Sequence, residues 1–564
     1  MTEPIIGIDL GTTYSCVAYI DEFGKPVVLK NLDNESTTPS VVAFDPDEEQ
    51  PLVGQIAKDQ KEMLEKDLVV DFIKRQMGDP NWRKEIKGKI YSPQEISAII
   101  LKKLVQDASA VLGQEIKRVV VTHPAYYDIP QKSAVIEAGQ IAGLSGYIAM
   151  DAGSAGYVPV NLIPEPTAAA FYYGVKNKDK DQTVLVYDLG GGTFDVTVLK
   201  ISNKEIETVC VKGDHSLGGK DWDDEIIRFC LHSKGIDEQE FTQDSVSHGA
   251  LQLRAEKNKK FLSTKQSTPI NFSYQGNNHR VELSLEEFNR ITSHLLEQTI
   301  NLCREVQELA AQKGCSHIDR ILLVGGSTRM KQIQDRLKEI YPDIPIEYHE
   351  PDEAVAKGAA VYANLLMMKE TFQRLFKERF GHDYNDNNSE DRHNAENDPE
   401  LKQMLIEVFG DRAVDMLPTK TIKLTNVTSK AFGIKCITKE GDRFKSIIPA
   451  QSKLPAENTE PFGTAEDFQE NAEILVMETD LTETLVNLDY CSKVSESSLH
   501  LPAGLPKNTE IKVTFRINEQ GMLYYRAVHE PSGRMVEGEI TVAGSLTKQE
   551  LEKSISRTSG LRIQ

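Results

Sequence analysis

Two aspartates stand in two copies of one pattern. Asp9-Leu10-Gly11-Thr12-Thr13 and Asp188-Leu189-Gly190-Gly191-Gly192 each follow an apolar run and each lead into another. The second copy, LVYDLGGGTFDVTVL, adds Asp195 beyond its glycines. Glycine has no Cβ, so the backbone N–H groups of such a turn can approach a ligand closely. Successive N–H groups in a turn form a concave anion site. A carboxylate beside a phosphate repels it unless a divalent cation, usually Mg2+, lies between them. One copy alone fits an ordinary hairpin with a solubilising aspartate. The repetition argues for a phosphate-and-metal site built from two similar halves.

Three further loops carry residues of the same chemistry. LLVGGSTRM runs a strand into Gly325-Gly326-Ser327 and then a helix, and a helix N-terminus behind glycines is an anion site. Arg329 beside it can stack on a base or pair with phosphate. IPEPTAAAFYYG sets Glu165 at a proline-bracketed helix start, with alanines that permit close packing. HSLGGKDWDDEII places another Gly-Gly before a helix. There is no G-x-x-x-x-G-K-[ST] run, so the site is not a P-loop. The H-R-D and D-F-G kinase signature and a nucleophile elbow are also missing from the sequence. His123, in VVVTHPAYY, has no metal-spaced partner and reads as structural.

The elements that must position these residues follow from the apolar pattern. Val, Ile and Tyr flank both Asp-Gly turns and suit a sheet, so each copy predicts a β-hairpin. Strands and helices alternate from residue 1 to 368, which is α/β organisation. SPQEISAIILKKLVQDASAVLG predicts an amphipathic helix that starts at Ser92-Pro93 and stops at Gly113. Over 369–420 the character changes. GHDYNDNNSEDRHNAENDPE has almost no apolar residues and reads as a solvated, acidic linker. The flanking KETFQRLFKERF and ELKQMLIEVF look helical, and their apolar faces leave room for docking. Over 421–543, AFGIKCI, AEILVME, IKVTFRI and GMLYYRAVHEPSGRMVEGEI predict a β-sandwich. Residues 544–564 predict a brief helix.

Bulk properties bound the rest. The chain has 564 residues, enough for roughly three to four domains of about 150 residues each. With 39% hydrophobic and 27% charged residues, it is not a wholly disordered chain. A net charge of −21 argues against nucleic acid and anionic membranes as partners, because both need a basic surface. The seven cysteines form no C-x-x-C pair and read as reduced thiols. The N-terminus lacks a basic-then-apolar leader, and no apolar run approaches ~18 residues, so a cytoplasmic protein is expected. Asn426-Val427-Thr428 fits a glycosylation sequon by chance.

GIDLGTTYSCVAY, VVVTHPAYYDIPQ, IPEPTAAAFYYG, YDLGGGTFDVTVL, LVGGSTRM and PDEAVAKGAAVYA occur in this order. Together they resemble the ATPase domain of the seventy-kilodalton heat-shock protein family, the DnaK-type chaperones of the stress response. VTSKAFGI and FGTAEDFQENAEILV resemble, less closely, that family's peptide-binding β-subdomain. The resemblance implies a two-lobed, actin-like (ribonuclease-H-like) α/β ATPase domain followed by a β-sandwich peptide-binding subdomain. It implies ATP or ADP, Mg2+ and K+ as cofactors, and hydrolysis of ATP to ADP and phosphate.

Residue roles follow from the same resemblance. Asp9, Glu165 and Asp188 would hold Mg2+ through waters. Gly11, Thr12, Thr13 and Tyr14 would wrap one side of the phosphates, and Gly190, Gly191, Gly192 and Thr193 the other. Asp195 would position the attacking water or a monovalent cation. Lys74, in DFIKRQMGD, matches the lysine that places the water against the γ-phosphate. AEKNKKFLS carries the adenosine contacts Glu256, Lys259, Lys260 and Ser263. Gly325, Gly326, Ser327, Arg329 and Asp352 would close the pocket. Phe462, Ala465, Ile474 and Val476 are the candidate peptide pocket. Unfolded or extended apolar peptides, a J-domain co-chaperone and a nucleotide-exchange factor are the implied partners.

The sequence also departs from the family pattern. Lys260 and Lys132 stand where arginines are usual, and an ammonium does not replace a planar guanidinium. Extra sequence, LSGYIAMDAGSAGYVPVNLI, precedes Glu165. The leucine-rich linker is replaced by TIKLTNVTS, so weakened coupling between the domains is expected. Of the helical lid only SLTKQELEKSISR has a counterpart, so fast peptide release is expected. Two alternatives remain open on these residues: a nucleotide-gated regulatory protein with weak ATPase and one dedicated partner, and a small-molecule kinase of the same superfold.

Overall fold

The computed structural model describes residues 4–147, 159–176, 181–202, 205–348, 350–409, 422–519, 521–539 and 545–563. Two sheets of matching topology build its N-terminal part. In the first, Ile6–Asp9 pairs antiparallel with Tyr14–Ile20 and parallel with Val119–His123. Asn161–Pro164 and Pro26–Leu29 extend this sheet on its two sides. In the second, Gln182–Leu189 pairs antiparallel with Phe194–Ile201 and parallel with Arg320–Val324. Ile346–Tyr348 and Glu205–Asp214 extend it. Both expected hairpins are present, and each occupies the same place in its sheet. The central strands are buried along their length, as in sheets covered by helices on both faces.

The helix Ala354–Phe380 packs on the Ile6–Asp9 strand and on the helix Glu165–Lys176. Small residues make the second contact possible. A Cβ on Gly358 would lie 1.8 Å from the Ala168 carbonyl oxygen. Ala168, Ala169 and Ala170 share one buried cluster with Ala359 and Ala363, which accounts for the alanines after Glu165. The expected helix of the first lobe runs Pro93–Leu112. A reciprocal Ser92–Glu95 capping box starts it, and Gly113, left-handed at φ 66, ends it.

The β-rich part forms two sheets around one core. The order of the first is Leu485–Val486, Gly441–Ile448, Ala431–Thr438, Asn471–Thr479, Ser492–His500. The second runs Ala456–Gly463, Glu510–Ile517, Leu523–His529, Arg534–Glu539. Ile511, Val513, Phe515 and Ile517 alternate inward along one strand and meet Ile434, Ile474 and Val476 of the facing sheet.

Three findings at the joints differ from the expectations or add to them. First, the boundary at 368/369 falls inside the helix Ala354–Phe380, and the acidic stretch is not all linker. It folds into Ser389–Asn397 and Pro399–Phe409 around Phe372, Phe376, Leu401 and Leu405. The flanking segments supply the apolar side chains that the stretch lacks. Its Asn and Asp residues cap helices: Asn388 accepts from Glu390 and Asp391, and Asp398 from Leu401. Second, Lys423–Thr425 of the altered linker pairs parallel with Glu205–Glu207 and adds a strand to the second lobe's sheet. Asn426 follows it and accepts hydrogen bonds from Thr167 and Thr208, so the sequon asparagine is an anchor. Third, the C-terminal helix Lys548–Ser559 lies against the first lobe. Arg557 pairs with Glu95, Thr558 donates to the Ile141 carbonyl at 3.0 Å, and Ile563 joins the lobe's core. Residues 148–158 of the extra sequence and 410–421 before the linker strand lie outside the described residues.

Candidate active site

The two Asp-Gly turns meet across a cleft of about 830 Å3. Their contact explains the glycines. A Cβ on Gly191 would lie 2.1 Å from the Thr13 hydroxyl, and one on Gly192 would lie 2.2 Å from the Thr12 methyl carbon. Gly11, Thr12, Thr13 and Tyr14 line the cleft from one lobe, and Gly190, Gly191 and Thr193 from the other. Gly192 stands behind the lining, where its carbonyl accepts from Arg75 at 2.7 Å.

Asp9 and Asp188 lie at equivalent places in the two hairpins, and both face the cleft. Glu165 opens its helix and is ion-paired to Lys74, which sits in the tight turn Ile73–Gln76. Phe72, left-handed at φ 50, precedes that turn, and the Tyr127 hydroxyl donates to the Lys74 carbonyl at 2.7 Å. Asp195 is set behind the lining and accepts from the backbone N–H of Ala125 at 2.8 Å and Tyr126 at 3.3 Å. The HPAYY loop therefore holds both Asp195 and the Lys74 backbone. His123 itself is buried, with Nδ1 2.7 Å from the Pro124 carbonyl, which fits its structural reading.

Three buried carboxylates, Glu165, Asp188 and Asp195, and the half-buried Asp9 share this place, and their charge is not balanced. Burial and the Glu165 charge push Asp9 up to about 7, and the same two causes push Asp195 up to about 7. Burial, Glu165, Asp195 and Asp9 together raise Asp188 well above the ordinary carboxylate range. Lys74 opposes all three shifts. Asp188 Oδ2 is fully buried and has no hydrogen-bond partner. Hard oxygen donors, excess negative charge and an orphaned carboxylate oxygen fit Mg2+.

The helix Ser245–Leu262 and the two residues after it supply another part of the lining through Glu256, Lys259, Lys260, Ser263 and Thr264. Gly325, Gly326, Ser327, Arg329 and Asp352 line it as well. Ser327 donates to the Gly190 carbonyl at 2.8 Å, and Arg329 pairs with Asp352 at 2.5 Å. Two cross-lobe contacts were not foreseen from the sequence. Lys58 reaches Glu256 at 2.5 Å and the Tyr14 hydroxyl at 2.6 Å, and Arg75 pairs with Asp221 at 2.5 Å. Burial alone would raise Glu256, but Lys58 and Lys260 together hold it well below the ordinary range. Lys58 had no local signal, since its partner lies in the other lobe. Arg75 had one weak signal, its place beside Lys74.

The Hsp70 protein family model matches residues 5–376 and 413–561. The chain belongs to the Hsp70 family. A curated relative, chaperone protein DnaK of Thermosipho melanesiensis, is 35% identical over 565 residues, which cover 98% of this chain and 83% of that protein. The two matched stretches flank 377–412, so most of the folded insert lies outside the Hsp70 match.

The four peptide-pocket candidates sit elsewhere, in the β-sandwich. Phe462 and Ala465 are half-buried near one end of the sheets. Ile474 is buried and Val476 is 0% exposed, both within the sandwich core. All seven cysteines are free thiols, and no helix among the described residues is long and apolar enough to cross a membrane.

Proposed function

We infer that this Hsp70-family chain is an ATP-dependent chaperone that hydrolyses ATP in the cleft to control capture of extended apolar peptides on the β-sandwich. One observation carries the site assignment: two equivalent hairpins close on Asp9, Glu165, Asp188, Asp195 and the buried Lys74, which is ion-paired to Glu165. In this reading the N-terminal part is an actin-like clasp. Asp9, Glu165 and Asp188 would hold Mg2+ through waters, and the ion when bound neutralises charge on the phosphates. The backbone N–H groups of the two turns bind and orient the phosphates. The Lys74 ammonium, held by Glu165, orients the attacking water, and Tyr127 holds the Lys74 backbone behind it. Asp195 accepts from that water or holds a monovalent cation such as K+. Catalysis of this kind rests on positioning and charge, with no covalent intermediate.

Coupling to the peptide domain has a physical route. The added linker strand is followed by Asn426, which holds Thr167 two residues beyond Glu165. Gln451 exchanges hydrogen bonds of 3.0 Å with the Val211 backbone in both directions. Ser429 donates to the Tyr127 carbonyl at 3.4 Å, and the neighbouring Tyr126 N–H holds Asp195. These contacts support a linker that still couples despite its lost leucines. Phe462 and Ala465 are the proposed groove contacts, with Ile474 and Val476 supporting them from the core. A J-domain co-chaperone and a nucleotide-exchange factor are the proposed partners. Free thiols support a reducing compartment, the cytoplasm.

The family match does not favour the dedicated-partner reading, and no observation favours a kinase. Phosphate release by wild type and Asp188→Asn tests the assignment. Mg2+-dependent release in wild type, lost in the variant, is expected. ATP binding without any release by wild type would return the dedicated-partner reading.

A further inference from the structure

We propose that Tyr348 contacts the nucleotide base and contributes to its affinity in this chain, a role that rests on the ATP-binding reading above. The cleft lining beyond the phosphate turns comes from two groups of elements. One is the helix that carries Glu256, Lys259 and Lys260 and is capped by Ser263. The other is the segment with Arg329, Met330 and Gln334, together with Tyr348 at the end of the strand Ile346–Tyr348.

A base needs a flat partner, and most flat groups here are already engaged. The Tyr14 ring carries the Lys58 and Lys260 ammoniums at 4.6 and 4.8 Å from its centre. The Phe72 ring carries Lys61 and Lys220, each at 5.4 Å. Lys260 is an ammonium, not a plane, and it is bound to Glu256 at 2.6 Å and to the Tyr14 hydroxyl at 3.2 Å. The Arg329 guanidinium is held by Asp352.

Tyr348 differs from all of these. Its side chain lines the cleft and is 39% exposed. Its hydroxyl donates to the Thr328 carbonyl at 3.1 Å, so the polar end is satisfied and the ring is fixed before any ligand arrives. Gln334 donates to the Arg329 carbonyl at 3.2 Å and braces the same segment. A pre-set aromatic plate costs little entropy to use. Stacking tolerates any base, so Tyr348 contributes affinity for the base while neighbouring polar groups choose among bases.

The test is calorimetry on the full chain with Mg-ATP and with Mg-tripolyphosphate, a probe that has no base. Tyr348→Ala is expected to lose about ten-fold in ATP affinity and to keep its tripolyphosphate affinity. Tyr348→Phe, which keeps the ring, is expected to stay within about two-fold of wild type for both. In Tyr348→Trp, added indole emission should change on binding ATP and not on binding tripolyphosphate. Unchanged ATP affinity in Tyr348→Ala overturns the proposal. An equal loss for both probes also overturns it, because it assigns Tyr348 to the fold. A wild-type chain that binds tripolyphosphate but gains nothing from the base removes the base contact. One that binds neither removes the ATPase reading with it.

Discussion

Replacing Lys74 separates hydrolysis from binding, and the structure sets the size of both effects. Lys74 is 4% exposed, ion-paired to Glu165, and opposes the raised pKa of Asp9, Asp188 and Asp195. Lys74→Ala leaves Glu165 buried without its partner. Breaking a buried pair from one side costs about 3–5 kcal/mol. Proton uptake limits the cost, since Asp9 and Asp195 already sit near about 7 and accept protons cheaply at neutral pH. A loss of about 3 kcal/mol in the nucleotide-free protein is therefore expected, at the low end of that range. Mg-ATP returns the missing positive charge, so the deficit should shrink when it is bound. Hydrolysis loses an electrostatic positioning group, worth about 10²–10³ in rate. The assay is single-turnover phosphate release from pre-bound ATP, with thermal denaturation in the presence and absence of Mg-ATP. Normal turnover in the variant would refute the role. Lost ATP affinity in a folded variant would move Lys74 from positioning to binding.

Three other outcomes follow from the joints of the molecule. Leu424→Asp puts a charge on the added linker strand where Leu424 packs against the second lobe, so peptide stimulation should vanish while basal hydrolysis stays; retained stimulation, measured by phosphate release, would disconnect that strand from coupling. Leu405→Ala opens the insert's own core at a cost of about 2–5 kcal/mol, which should expose 381–409 to protease without changing ATP affinity by calorimetry; weakened ATP binding would make the insert part of the nucleotide fold. At the domain interface, burial pushes Glu478 up to about 7 against the pull of Lys430, and burial brings Lys132 down to about 8. The docked Glu478 keeps its proton more tightly, so docking weakens as pH rises from the ordinary carboxylate range to about 7; the docked Lys132 loses its proton more readily, so docking strengthens as pH rises past about 8. A shallow stability minimum between those values is expected in pH-resolved thermal denaturation, with the falling limb lost in Glu478→Gln, and a monotonic profile would contradict it.

The parts of the site that were legible are those with local grammar. The repeated Asp-Gly turns announce two hairpins because strand propensity and turn chemistry agree within a few residues. Glu165 was readable from its prolines, and the helix from Pro93 from its Ser92 cap. What stayed hidden is non-local. Lys58 meets Glu256, and Arg75 meets Asp221, only when the lobes face each other. Composition misread the insert because a segment poor in apolar residues can borrow a core from its flanks, as Tyr384 and Ala395 do from Phe372 and Phe376. The resemblance offered Ile474 and Val476 as pocket residues, but a resemblance of short segments does not tell the sandwich interior, where both lie, from a groove. Lost leucines in the linker suggested weak docking, yet strand addition draws on backbone hydrogen bonds that are indifferent to side-chain type.

The measurement closest to the central claim is single-turnover ATP hydrolysis with and without a short, extended, leucine-rich peptide. Faster phosphate release with peptide is expected, because Ser429 of the β-rich part touches the HPAYY loop that holds Asp195, and Asn426 after the linker strand reaches the helix that begins at Glu165. Hydrolysis unchanged by a peptide that is shown to bind would contradict it, and would leave two uncoupled domains in place of an ATP-driven chaperone.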